Sequence, residues 1–562
     1  MIRHRAPISG VVAHGRLIAT AGYDNRVILW DAPSGRSLAR GCHDHLANQC
    51  AFSADGEWLV SSSSDYSARL WSVPEMRLTA LLAGHEDDVE GVAFHPSGSL
   101  VATASRDHSI GVFDFGGNML LRLHGHRADV LSIGWLDGGR ALVSSSDDGT
   151  IRRWDAASGA LIETLDFGGV ETDTIALAAD GTIFAGNDRG EIVIVREGQR
   201  RIVRAHDAGI KKIVHDDGSG RVVTLSYDRQ ARFWQHDSGT LAALGSEPLP
   251  PVVWPRACAF AGENSVVFAT FGSRYAIFDL ARRHWSLEGV ERTEGVNGAC
   301  FFEGRLHTIG DAGVVCAEGA ATADVGSLCN FILDFHGHLL CGGQLGRLMN
   351  ALTGETLHQH RSPLNCAIAL MDGAIPALLI GTYTGEALLF HLRGGVPAFV
   401  RAIPLHDNAV KGLAANDRAL FSVCASGAAA IHRIGDWMPL REDRTVHSRI
   451  ANGCVALAGG RFASISRDRR LRIWSDTMVE VFETPHPNSI KCCAVSADGM
   501  AIATGDYAGR VGVFDVAKRR YAAFGRLSAS GISAVIAAPW GGFVATSYDG
   551  HAYETGIGRD AG

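Results

Sequence analysis

Between His126 and Asp155 the chain reads HRADVLSIGWLDGGRALVSSSDDGTIRRWD. Three β-rich runs, VLSIGW, ALVSSS and TIRRW, are separated by Gly/Asp turns, the pattern of consecutive antiparallel strands. Counted back from Trp154, Asp148 stands six residues earlier and Ser144 ten earlier, and His126 opens the segment. These side chains complement one another. A hydroxyl can donate to an imidazole, a carboxylate can accept from the other ring nitrogen, and an indole N–H can donate into the same cluster. Buried between strands, such a closed set locks a turn, because each polar group left unpaired costs about 1–3 kcal/mol. The set recurs along the chain, and that recurrence restricts the fold more than any other feature.

Complete sets are His4, Thr20, Asp24 and Trp30; His43, Ser61, Asp65 and Trp71; His206, Thr224, Asp228 and Trp234; and His447, Ser464, Asp468 and Trp474. Phe113 replaces Trp beside His85, Thr103 and Asp107. The dipeptide Trp154-Asp155 recurs as Trp30-Asp31 and weakens to Trp71-Ser72, Phe113-Asp114, Phe278-Asp279, Trp474-Ser475 and Phe514-Asp515. On these residues the chain resembles the WD-repeat β-propeller family, as a tandem propeller of bacterial kind. The resemblance implies an all-β fold built from repeats of four strands.

The ends of successive third strands fall at Trp30, Trp71, Phe113, Trp154, Val195, Trp234 and Phe278. They continue at Cys316, Ala351, Phe390, His432, Trp474, Phe514 and near Tyr553. Fourteen repeats exceed the usual four to eight blades of one ring. The expectation is therefore two seven-bladed β-propellers in tandem, residues 1–280 and a more degenerate 281–562. The turns NDRGE, DAGVV, QLGRL and ASGAA lack the polar set but keep a Gly able to take φ > 0. Ser246 to Pro255, SEPLPPVVWP, reads as a long surface loop between the sixth and seventh repeats. Residues 1–4 read as an outer strand that closes one of the rings, the first being preferred, with Arg282–Leu287 then closing the second.

Composition narrows the function. A net charge of −8 argues against an obligate nucleic-acid binder. The twelve cysteines show no CxxC pair and no Cys/His spacing typical of zinc, and they read as buried residues of a reducing compartment. With no apolar leader and no run of 18 apolar residues, the chain reads as soluble and cytoplasmic, without a membrane segment. No phosphate loop, HExxH, nucleophile elbow or kinase motif occurs. The reading is non-catalytic, with no cofactor and no metal.

Informative positions are those the scaffold leaves free. Just before the turn position stand Tyr23, Tyr227, Tyr383, Tyr507 and Tyr548, with Phe271, Arg106 and Arg467. Five residues after a repeat histidine come Lys211, Lys411 and Lys491, three of only five lysines. In the family these positions face the central channel, where partners dock. Tyrosine and cations on a rigid face are the stuff of protein-recognition hot spots. Tyr23, Lys211, Tyr227, Phe271, Tyr383, Lys411, Arg467, Lys491, Tyr507 and Tyr548 are therefore the expected partner-binding residues of a scaffold working in a multiprotein complex. Glu86, Asp87, Asp88 and Glu90 are expected across the first ring from its aromatic arc. The alternative is a nucleic-acid-associated subunit using Arg196, Arg200, Arg201, Arg282, Arg283, Arg393, Lys518, Arg519 and Arg520, which all follow third strands and so share the opposite face.

Overall fold

A computed structural model describes residues 2–475 and 477–555. Among the described residues the chain is all-β, with two single-turn 3₁₀ segments and no α-helix. No helix is long and apolar enough to cross a membrane. Among the described residues the strands form fourteen consecutive antiparallel sheets, thirteen of four strands and a last one of three. The chain divides into two compact units, Met1–Thr293 and Glu294–Gly562.

The fourth sheet shows why these residues make this element. Its second strand, Ala141–Ser146, is buried throughout. The outer strand, Leu161–Asp166, is exposed along nearly its whole length. The small Ala and Ser side chains of the inner strands let neighbouring sheets approach. Leu142 and Trp154 then pack against Ala102, Ala104, Ile110 and Val112 of the sheet before, and Val143 and Ile151 against Ile175 and Ala185 of the sheet after. Gly149 closes the turn at φ +75°, with the Gly169 backbone 2.5 Å from where a Cβ would sit. A side chain there would have to displace backbone.

Within each unit the first strands adjoin one another. In the first, Ile8–His14 packs on Ala47–Phe52 and also on Val253–Phe260, the first strand of the seventh sheet. In the second, Val296–Phe302 packs on Cys329–Phe335 and also on Ile532–Ala537 of the fourteenth sheet.

Three expectations change. First, His284–Ser286 pairs with Ala276–Asp279 as the fourth strand of the seventh sheet. The chain after Phe278-Asp279 simply turns back as a hairpin, so a cut at 280 would divide it. Second, the described residues of the 1–4 segment form no strand. The Ile2 N–H donates to Ser37 Oγ at 3.0 Å and the His4 N–H to Ser273 O at 3.1 Å, both inside the first unit. Third, SEPLPPVVWP is no long loop. Thr240–Pro248 is an outer strand, where Pro is tolerated, and Val253–Phe260 is the next first strand. Only a tight turn remains between them, with Val253 N–H donating to Pro250 O at 2.9 Å and Leu249 and Val253 in the core.

Candidate interaction face

The polar sets sit at the edge between the fourth strand of one sheet and the turn of the next. In the fourth sheet the Asp148 carboxylate is 3.0 Å from His126 Nδ1, the other ring nitrogen is 2.8 Å from Ser144 Oγ, and Trp154 Nε1 donates to that hydroxyl at 2.9 Å. The same geometry joins His4, Asp24, Thr20 and Trp30; His43, Asp65, Ser61 and Trp71; and His206, Asp228, Thr224 and Trp234. His85 joins Asp107 and Thr103 over Phe113. Burial holds the His43 and His126 pKa values down, so the rings stay neutral between hydroxyl and carboxylate.

The sixth set departs from this pattern. Arg472, 3% exposed, takes Asp468 through both guanidinium nitrogens at 2.7 and 3.1 Å, leaving His447 Nδ1 4.0 Å from the carboxylate. Burial, with Arg472 beside it, lowers the His447 pKa to about 3. One further set was missed in the sequence. His486 lies 2.8 Å from both Asp506 and Thr504, with the Tyr521 ring between it and Phe514. Its Asp follows the hydroxyl residue by two positions rather than four, so the spacing hid it.

The expected partner-binding residues meet in pairs. In the first unit Lys211 Nζ lies 5.0 Å from the Tyr227 ring centre, and Tyr23 meets the edge of Trp254 at 5.3 Å. Phe271 is a correction: at 3% exposure it is buried behind Trp254, 5.4 Å away, and serves as that ring's support. Trp254 is itself buried, at 9% exposure, with Arg256 over its ring at 5.5 Å. In the second unit Lys411 Nζ lies 4.5 Å from the Tyr383 ring, Arg467 5.7 Å from the Tyr507 ring, and Tyr507 stacks on Tyr548 at 6.4 Å and 15°.

Charge is arranged differently in the two units. In the first, Lys211 is held between Asp173 and Asp188. Glu90 accepts from Arg106 at 2.6 Å and from Arg256 at 3.1 Å, so it is tied to the aromatic arc it was expected to oppose. Asp147, Glu171 and Asp173 bring carboxylate oxygens within 4.8 Å of one another. Burial and mutual repulsion push the Asp147 and Glu171 pKa values well up. Lys211, beside Asp173, already supplies a cation there.

A β-bulge explains how these side chains are aimed. In every first strand of the second unit the pairing slips at the second residue, and the extra residue stands out of the ladder. Those residues are Asn297, Asn330, Asn365, Lys411, Asn452, Lys491 and Ser533. Each Asn clasps the next sheet through Nδ2. Asn297 donates to Cys329 O at 3.1 Å, Asn330 to Leu364 O at 2.7 Å, Asn365 to Val410 O at 2.5 Å and Asn452 to Ile490 O at 2.7 Å. In the first unit Ser9 and Asn48 make the same clasp to Ala47 O and Val89 O. Lys411 and Lys491 stand where the belt would otherwise place an amide.

Much of the basic group expected on the opposite face is paired within the chain. Arg196 meets Asp180 at 3.4 Å, Lys518 meets Asp515 at 3.0 Å, Arg519 meets Glu480 at 2.5 Å, and Arg283 meets Glu247. Arg200 lies 4.4 Å over Phe167.

The family model described as "WD domain, G-beta repeat" matches residues 1–31, 36–72, 76–114 and 117–155. A Nuclear distribution protein PAC1 of Arthroderma benhamiae is 34% identical over 174 residues, 26% of this chain and 37% of that protein. A Nuclear distribution protein nudF of Emericella nidulans is 30% identical over 26% of this chain and 39% of its own length. The Target of rapamycin complex subunit wat1 of Schizosaccharomyces pombe is 25% identical over 39% of this chain and 74% of its own length. The chain thus spans under two fifths of the nuclear-distribution relatives it matches. These relatives are fungal and lend the expected bacterial kind no support. The matched segments lie in the first four sheets, and sheets of the same strand order continue through the described chain.

Proposed function

We propose that the chain is a non-catalytic adaptor, two seven-bladed propellers that hold protein partners on the channel-side face of each ring. The ring reading is supported by first strands that adjoin in series and return to the start within each unit, with the boundary near Thr293. The observation that carries the functional reading is the pairing of aromatic and cationic side chains at turn and bulge positions, Tyr383 with Lys411 and Arg467 with Tyr507, while the scaffold's own needs are met by the His/Asp sets and the Asn clasps. One relative is by name a subunit of a protein complex, which agrees with work in an assembly. The ion pairs that occupy much of the opposite basic face favour this reading over a nucleic-acid one.

The test is capture of partners by the tagged full-length chain, identified by mass spectrometry and then titrated with salt. A protein interface centred on aromatic groups should lose less than tenfold in affinity between 50 and 200 mM salt, whereas neutralising six to ten phosphates costs roughly 10³–10⁵ over that range. A steep loss, with nucleic acid in the captured fraction, would transfer the function to the basic face.

A further inference from the structure

A buried pair of histidines lies outside the repeat sets, where the fifth and sixth sheets of the first unit meet. His215 stands near the end of the sixth sheet's first strand, Ile210–Asp216, and His236 near the end of its third, Gln230–Asp237. Their side chains are 3% and 7% exposed. The rings meet edge to face with centres 5.1 Å apart, and Phe184 of the fifth sheet packs on both, at 5.7 and 4.9 Å. His236 Nδ1 lies 3.3 Å from His215 Nε2.

One backbone amide sets the protons on both rings. The Gly239 N–H donates to His236 Nε2 at 3.0 Å, so that nitrogen is bare and Nδ1 carries the ring's hydrogen. Nδ1 then donates to His215 Nε2, which leaves the His215 hydrogen on Nδ1. Both rings are neutral in this arrangement, and the one basic nitrogen of each already accepts a bond. A proton added at His215 Nε2 would set two N–H groups against each other. A proton added at His236 Nε2 would expel the Gly239 N–H.

The charged groups facing the pair are already engaged. Asp217 Oδ1 is 3.4 Å from His215 Nδ1 and accepts from the Ala179 N–H of the fifth sheet at 2.8 Å. The Asp216 carboxylate accepts from the Ser219 N–H at 2.9 Å and its hydroxyl at 2.6 Å. Asp180 Oδ2 stands 3.7 Å from His236 Nε2 but 3.4 Å from Arg196, which also lies 3.7 Å from Glu197. Burial outweighs these carboxylates and lowers the His215 pKa.

We infer that His215 and His236 form an acid-released latch between the fifth and sixth sheets. The neutral pair, with Ala179 bonded to Asp217, holds the turns at 178–182, 216–220 and 237–240 together, and acidification frees them. In the opened turns a histidine takes a proton near its ordinary value of about 6.5. The latch is therefore complete above that pH and weakens as pH falls below it, the open population rising about tenfold by pH 5.5 for one histidine. The inference stands independently of the partner-binding reading.

The experiment is amide exchange of the full-length chain at about pH 7.5 and about pH 5.5, read by mass spectrometry and corrected for the intrinsic pH dependence of exchange. Wild type should lose at least about tenfold in protection across 178–186, 214–222 and 234–240. His215→Gln with His236→Asn keeps an acceptor and a donor in the pair but takes no proton, so protection of these segments should change by under about threefold between the two conditions. Should that variant fail to fold, exchange of the imidazole C2 hydrogens in wild type decides the matter, and His215 should titrate below about 6.5. Wild-type protection that is equal at both pH values, loosening of the double variant as large as that of wild type, or a His215 midpoint at or above about 6.5 overturns the inference.

Discussion

Replacing Asp148 by Ala probes the repeat network at its best-formed example. Its Oδ2 accepts from His126 Nδ1 and from the Arg127 N–H, each at 3.0 Å, and its Oδ1 accepts from the Thr150 N–H at 2.9 Å and Thr150 Oγ at 2.6 Å. The side chain is 3% exposed and His126 is 1% exposed. Truncation strands the buried imidazole and the Thr150 donors, while Arg127 reaches water. At about 1–3 kcal/mol per stranded group, with partial rescue by water, the loss is about 2–3 kcal/mol. Amide exchange across residues 126–155 of the full-length chain, followed by mass spectrometry, should then accelerate roughly 30- to 150-fold at 1.4 kcal/mol per tenfold. Glu163→Ala, on the exposed outer strand of the same sheet, is the control and should change exchange by under about twofold. Acceleration of the Asp148 variant by less than about threefold would refute the claim that these sets hold the repeat together.

Other outcomes follow from the same geometry. Asp468→Ala strands the buried Arg472 guanidinium and should cost about 3–5 kcal/mol, measurably more than Arg472→Met, after which Asp468 can turn to His447; melts of the two variants in reverse order would contradict this. Asn365→Ala removes one clasp to Val410 O and should cost about 1 kcal/mol, read as faster exchange confined to the third and fourth sheets of the second unit. His406 is held down to about 4 by burial, so the folded state resists the proton the unfolded chain accepts near its ordinary value of about 6.5. That contribution is full above pH ~6.5 and declines as pH falls towards about 4, and His406→Asn should flatten the melting temperature in that window.

The repeat sets were legible because their residues lie at fixed spacings within one run of three consecutive strands. His486 with Asp506 escaped because the carboxylate moved from the turn to the strand end, and Arg472 was invisible as a competitor for Asp468 because charge pairing depends on side-chain reach. The clasp belt depends on strand register: Asn330 and Asn365 look like unremarkable polar residues until the bulge and the next sheet's carbonyl are known. Partners far apart in sequence were likewise hidden, Glu90 meeting Arg256 across 166 residues and Lys211 meeting Asp173 across 38. Phe271 obeyed the positional rule for an interaction residue yet is buried, because Trp254 covers it.

The central claim is that the second unit binds its partner through its paired tyrosines and cations. Tyr507→Ala combined with Lys491→Glu tests it against Arg519→Glu with Arg520→Glu, each in the full-length chain and with quantitative capture of the principal partner. A tyrosine at the centre of a desolvated contact loses 2 kcal/mol or more on truncation, about 30-fold in affinity. The account predicts that the first pair weakens capture at least 30-fold with a nearly unchanged melting curve, while the second leaves capture within about threefold; loss of capture in the arginine pair with retention in the tyrosine–lysine pair would contradict it.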